Sequence, residues 1–250
     1  GVGKTAVSFM FAIRCCLLGA KVALIEIDQQ ANLTRSCKID ASNCPVMIDF
    51  LTKKLNIRDL MIPVIKGLDI LPSRVENALL DNTLMVGKFP LDKVFSKPLN
   101  SLKEIYDIII VDCPPSIGQA VTAVALASDS IVMPVNPTDY SLAGLDLTYN
   151  EITDVLEEYE KSCEIKILFN KFDARTTLSF HTLSDLIKHP IYGPKMVKSY
   201  IRNNQSIENL LIQGKSVFDT IRFTTEKEDF AIVTNEILEL DNQLIDHAKS

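Results

Sequence analysis

The chain has 250 residues, 47% of them hydrophobic and 23% charged, with a formal net charge of −6 at pH 7. That length suffices for one α/β domain with a well-buried core. The acidic balance argues against a protein that coats nucleic acid with its whole surface, while leaving room for a local basic patch. The longest apolar runs, such as those at 108–111 and 131–135, are strand-length, far short of the roughly 20 residues a membrane-spanning helix needs. Six cysteines, at positions 15, 16, 37, 44, 113 and 163, form no CxxC pair and no Cys/His cluster. They read as reduced, mostly buried thiols.

In chain order, GVGKT (1–5) leads into an apolar, helix-length run from Ala6 to Leu18 that ends at Gly19, a natural helix stop. Residues 21–28, KVALIEID, predict a buried strand with acids at its C-terminal end. Apolar positions over 45–62 recur at helical spacing, and 67–72, GLDILP, is a short strand stopped by proline. YDIIIVD (106–112) is a second acid-tipped strand, followed by Cys-Pro-Pro-Ser. Residues 120–127 predict a helix, 130–135 a core strand, 141–160 an acidic amphipathic helix and 165–170 a further strand. Near the end, Phe230, Val233, Ile237, Leu240 and Leu244 mark a helix over roughly 226–248.

Strands apolar throughout and alternating with helices imply a mostly parallel sheet covered on both faces. No Pro-, Gly- or Ser-rich linker divides the chain, so one domain over 1–250 is expected. In such sheets ligands bind at the C-terminal ends of the strands, where Asp28 and Asp112 are expected.

The chemistry expected there is phosphate binding. The glycines of GVGKT let backbone amides close on phosphate oxygens, and the helix that follows adds its positive N-terminal end. Lys4 would reach the β- and γ-phosphates and the Thr5 hydroxyl would ligate Mg²⁺. GKT alone is only moderately specific, and a Gly-rich turn before a helix explains it equally well. Joined to two acid-tipped strands it is much harder to obtain by accident. Asp112 then stands where a Walker-B acid helps to hold Mg²⁺ through its water shell.

GVGKT, EIDQQANLT (26–34), DIIIVDCPPSIG (107–118) and IVMPVNPTDYSLAGL (131–145), in that order, resemble the ParA/MinD/Soj group of deviant Walker-A ATPases. QANLT (30–34), ILPS (70–73) and FDARTTLS (172–179) look most like the partition members. The resemblance implies a three-layer α/β/α P-loop NTPase fold. It implies a nucleotide site of Gly1, Val2, Gly3, Lys4, Thr5 and Ala6, with Lys4 and Asp28 catalytic and Thr5, Asp28 and Asp112 around Mg²⁺. The family's KGGVGKT loop carries an earlier lysine that reaches the partner's nucleotide across the dimer. The expectation is therefore that a short apolar strand and Lys-Gly precede Gly1. Asp28 matches the second acid of the family's DxDPQ, while Glu26 replaces its first acid and Gln29 its proline. Asn170 matches an asparagine that reads adenine in several members, and a turn cap is its plainer reading.

Attack of water on the γ-phosphate of ATP is the implied reaction, with Lys4 offsetting charge and Asp28 placing the water. ATP would close a homodimer, and slow, partner-stimulated hydrolysis would open it. Residues 161–227 hold eleven Lys and Arg against six Asp and Glu, a net of +5 that leaves −11 on the rest of the chain. That basic stretch suits sequence-independent binding to DNA phosphates. Arg175 is the candidate from the DARTTL match, and Lys195, Lys198, Arg202 and Arg222 are candidates from charge alone. A ParB-like adaptor, a homodimer and a cytoplasmic, nucleoid-associated protein with no stable membrane association follow from the same resemblance. The alternatives are a MinD-like or other cargo-positioning ATPase, a nucleotide-locked regulator with little turnover, and, last, a P-loop ligase or kinase. The membrane-cycling form needs a basic amphipathic terminal helix, and the terminal segment here is predominantly acidic.

Overall fold

A computed structural model describes residues 1–138 and 141–239. Strand β1 (Val22–Glu26) lies at its centre, wholly buried, with β3 (Leu68–Leu71) parallel on one side and β4 (Ile108–Asp112) parallel on the other. A short β2 (Ile62–Ile65) runs antiparallel along the outer edge of β3, and β5 (Ser130–Val135) pairs in parallel with β6 (Glu164–Phe169) as a separate two-stranded sheet.

Both faces of the sheet are apolar because side chains alternate along each strand. Val22 and Leu24 of β1 join one core cluster, and Ala23 and Ile25 join the other. The helices are α1 (Lys4–Leu17), α2 (Asn32–Ser36), α3 (Met47–Lys53), α4 (Leu80–Val86), α5 (Leu91–Val94) and α6 (Ser96–Leu102), then α7 (Gln119–Ala127), α8 (Ser141–Glu158), α9 (Thr177–Lys188), α10 (Ser206–Gln213) and α11 (Thr225–Ile237). α1 packs against α2, α10 and α11 on one face, while α4, α5 and α6 gather around α7 on the other. A third cluster joins β5 and β6 to α8 and α9. The result is the expected α/β/α layering around a mostly parallel sheet.

Three features depart from the sequence reading. The helical spacing over 45–62 yields only α3, because Lys54 turns into the left-handed region at φ +53°. A 3-10 turn at Ile57–Leu60 and edge strand β2 follow. Pro63 is tolerated in β2 because an edge strand need not donate on both sides. Second, Ile108, Ile109, Ile110 and Val111 are only half-buried. β4 bonds to β1 along one edge, and its other edge meets no strand among the described residues. Third, α11 ends at Ile237, having packed Phe230 and Val233 into the cluster that contains α1. Leu240 and Leu244 lie outside the described residues. Of the cysteines, only Cys15 and Cys37 are buried, and the other four are half-buried.

Candidate functional site

The GVGKT loop is fastened to the end of β6. Gly3 precedes α1 at φ +89° and ψ 24°, and a Cβ there would lie 2.4 Å from Asn170 Nδ2. Glycine is therefore required twice, for the left-handed backbone and for the close approach. Asn170 is 4% exposed, and its Nδ2 donates to the Val2 carbonyl at 2.8 Å. The side-chain amide is thus engaged with the loop backbone itself, a contact that neither the adenine-reading nor the turn-cap expectation named. Lys4 opens α1, a helix of 14 residues with no acidic residue in its first turn, so the positive helix end is not neutralised locally.

Behind the loop stands Asp112, 2% exposed. Thr5 Oγ1 donates to its Oδ2 at 2.8 Å, and Ser8 Oγ donates to its Oδ1 at 3.1 Å. Both carboxylate oxygens are thus held from one face of α1, since residues 5 and 8 are three apart. Ser8 was missed in the sequence reading, and its spacing from Thr5 was the signal available. Burial pushes the Asp112 carboxyl up from its ordinary range, and neighbouring Asp28 adds to this, while Thr5, Ser8 and Lys4 pull the other way. A buried carboxylate so placed is stabilised by a cation. Among the described residues no group of three or more His, Cys, Asp or Glu could hold a metal alone. The donor set fits Mg²⁺, which keeps several waters and takes one or two carboxylates besides phosphate oxygens. Thr5, Asp112 and Asp28 would be its protein partners.

β1 and β4 run in register, so Glu26 lies opposite Asp112. Asp28 comes two residues later, half-buried, with its Oδ1 accepting from the Gln30 amide at 2.9 Å. Glu26 itself is fully buried and accepts from the Leu33 amide, the Thr34 amide and the Thr34 hydroxyl. Burial pushes its carboxyl up to about 7, against the pull of those three donors. The sequence comparison placed Glu26 at the first acid of the family pattern and did not foresee this internal role. Cys113, next along from Asp112, has its thiol pushed up to about 12 by burial and by Asp112, so it supplies no thiolate to the site.

The five basic candidates separate into different environments. Arg175 lies exposed in the turn before α9, with its guanidinium and amide on Asp173, whose carboxyl is held down at about 2. Arg202, a DNA-contact candidate from charge alone, is paired within the fold. Its guanidinium bonds Asp229 and Glu228, and its amide also donates to Asp229. Lys195, Lys198 and Arg222 join no ion pair among the described residues. Lys195 sits with its Nζ 5.9 Å from the centre of the Tyr149 ring, while Lys198 and Arg222 are exposed. Lys195 and Lys198 line a groove at the N-terminal end of β6 together with Lys166, Glu164, Glu236 and Glu239. Three lysines against three glutamates leave that groove neutral.

The comparisons with known proteins agree with this geometry. The family model for an AAA domain (AAA_31) matches residues 1–167. The sporulation initiation inhibitor protein Soj of Bacillus subtilis (strain 168) is 29% identical over 222 residues, covering 87% of this chain and 86% of that protein. A virulence plasmid ParA family protein of Chlamydia psittaci is 28% identical over 260 residues, covering 100% of this chain and 93% of its own. The ATP complex of a Cyanothece McdA variant superposes with a TM-score of 0.82 at 19% identity, over 97% of this chain and 94% of that one, and so speaks for the fold. With a nucleotide loop on α1, an acid-tipped β4 behind it and a second acid at the end of β1, the chain belongs to the ParA/Soj-type family of partition and positioning ATPases in the ParA/MinD superfamily.

Proposed function

We propose that this protein is an ATP-hydrolysing switch that dimerises on ATP, binds DNA without regard to sequence in that state, and drives plasmid or chromosome partition. The observation that carries the reading is the 2.8 Å hydrogen bond from Thr5 to Asp112. It ties the GVGKT loop to the acid-tipped strand, so that Thr5 and Asp112 would together help to hold Mg²⁺ beside the phosphates. Mg²⁺ bound there would offset phosphate charge. Gly1, Val2, Gly3 and Ala6 supply backbone to the phosphates, and Lys4 stabilises the charge that develops on the transferred group. Asp28 orients the attacking water.

DNA contact rests on Arg175, Lys195, Lys198 and Arg222. Arg202 is already tied within the fold by Asp229 and Glu228. The test is binding of the full-length protein to random-sequence duplex DNA with ATP, with ADP and without nucleotide, across a salt series. Binding that needs ATP and weakens steeply with salt supports the switch. Binding indifferent to nucleotide, or none, overturns the DNA part. Phosphate release by the same preparation tests the ATPase part separately.

A further inference from the structure

Orienting a water molecule requires that the loop after β1 hold Asp28 still. Apolar packing holds Ile27 and Leu33 on either side of it, but Asp28 is half-buried and Gln29 and Gln30 are exposed, so the turn itself lacks such packing. The loop is instead anchored by a buried polar chain assembled from four parts of the sequence. Glu26 accepts the amides of Leu33 and Thr34, each at 2.8 Å, and the Thr34 hydroxyl at 2.6 Å. Since that hydroxyl spends its proton on Glu26, its lone pair is available, and the Ser73 amide donates to it at 2.8 Å. Ser73 Oγ then donates to the Asp28 carbonyl at 2.6 Å and accepts from Asn77 Nδ2 at 2.7 Å. Asn77 Oδ1 accepts from the Ile48 amide at 3.1 Å, which ties the chain to the start of α3. Thr34, Ser73 and Asn77 are 2%, 0% and 4% exposed. The loop they hold includes Ala31 at φ +51°, a conformation that residues with a side chain rarely adopt unaided.

We propose that Ser73, set by Thr34 and Asn77, is the positioning residue for Asp28. It clamps the Asp28 carbonyl and so holds the carboxylate in the place from which it directs water. The proposal rests on the ATPase reading above and adds to it a residue 45 positions away that touches neither nucleotide nor cation in that reading. A buried, fully paired hydrogen-bond chain of this kind is rigid, and cutting one link frees the segment beyond it.

The test measures phosphate release and amide hydrogen exchange on the full-length protein. Ser73→Ala is expected to lower kcat roughly tenfold and leave KM for ATP within about twofold. It should speed exchange at residues 29–37 while leaving β1 and β3 protected. Thr34→Val, which keeps the shape and removes the hydroxyl, should do the same, and Thr34→Ser should restore both readouts. This pair decides the matter if Ser73→Ala does not fold. Unchanged kcat and exchange in Ser73→Ala, or equal damage from Thr34→Ser and Thr34→Val, would overturn the clamp. A wild-type protein that releases no phosphate overturns the ATPase reading alone, and exchange at 29–37 then decides the clamp: faster in Ser73→Ala supports it, unchanged refutes it.

Discussion

Asn170→Ala separates two roles for one side chain. In the structure Asn170 Nδ2 donates to the Val2 carbonyl at 2.8 Å and lies 2.4 Å from where a Cβ on Gly3 would be. Its own amide still bonds the Val135 carbonyl at 2.7 Å, so removing the side chain leaves the end of β6 in place. What is lost is the partner of a part-buried carbonyl in the phosphate loop, at a cost of about 1–3 kcal/mol. Because the loop must be ordered to bind phosphate, that cost appears as weaker binding, roughly 5- to 150-fold at about 1.4 kcal/mol per decade. Calorimetric titration with ATP and with GTP measures it. An anchor of the loop lowers both affinities by the same factor, since both nucleotides present the same triphosphate. A fall confined to ATP, with GTP untouched, would refute the anchoring argument and return Asn170 to the base.

Asp112→Asn removes the charge that Thr5 and Ser8 now approach. The gain in nucleotide affinity on adding Mg²⁺ should shrink by at least about tenfold, with Mg²⁺-free affinity little changed, and a full Mg²⁺ effect in the variant would contradict the site. Phe230→Ala empties a fully buried position where α11 meets the α1 cluster. A loss of about 3–5 kcal/mol in denaturant unfolding is expected, and a loss under about 1 kcal/mol would mean that α11 is not part of the cooperative core. The Asp173 carboxyl, held at about 2 by Arg175, lies below its unfolded value of 3.8. Its contribution to stability is therefore present above about pH 4 and disappears as pH falls toward about 2. An NMR titration of Arg175→Ala should show that carboxyl moved up toward the ordinary range, with the residue-175 amide still holding part of the shift, and an unmoved titration would exclude the Arg175 guanidinium as the cause.

Much of this protein was legible in its sequence, for reasons that can be named. Buried parallel strands must be apolar on both faces, so IIIVD and VALIE declared β4 and β1 and carried their acids to the ligand-binding edge. GVGKT was ambiguous alone, and it pointed to a phosphate loop once the two acid-tipped strands were read beside it. Local order fails where a residue's partner is distant in the chain. Nothing near Asn170 tells that it meets Val2, 168 positions away, and nothing near Arg202 tells that Asp229 and Glu228 will take its charge. Ser73 lies just past the short strand read at 67–72, as the last residue of the ILPS match, and only folding brings its hydroxyl to the Asp28 carbonyl. Sequence patterning sets which segments are buried and which chemistry they carry, because burial and local conformation depend on composition and spacing. Which polar groups satisfy one another inside is decided by tertiary packing, since a buried donor must find an acceptor wherever the fold has put one.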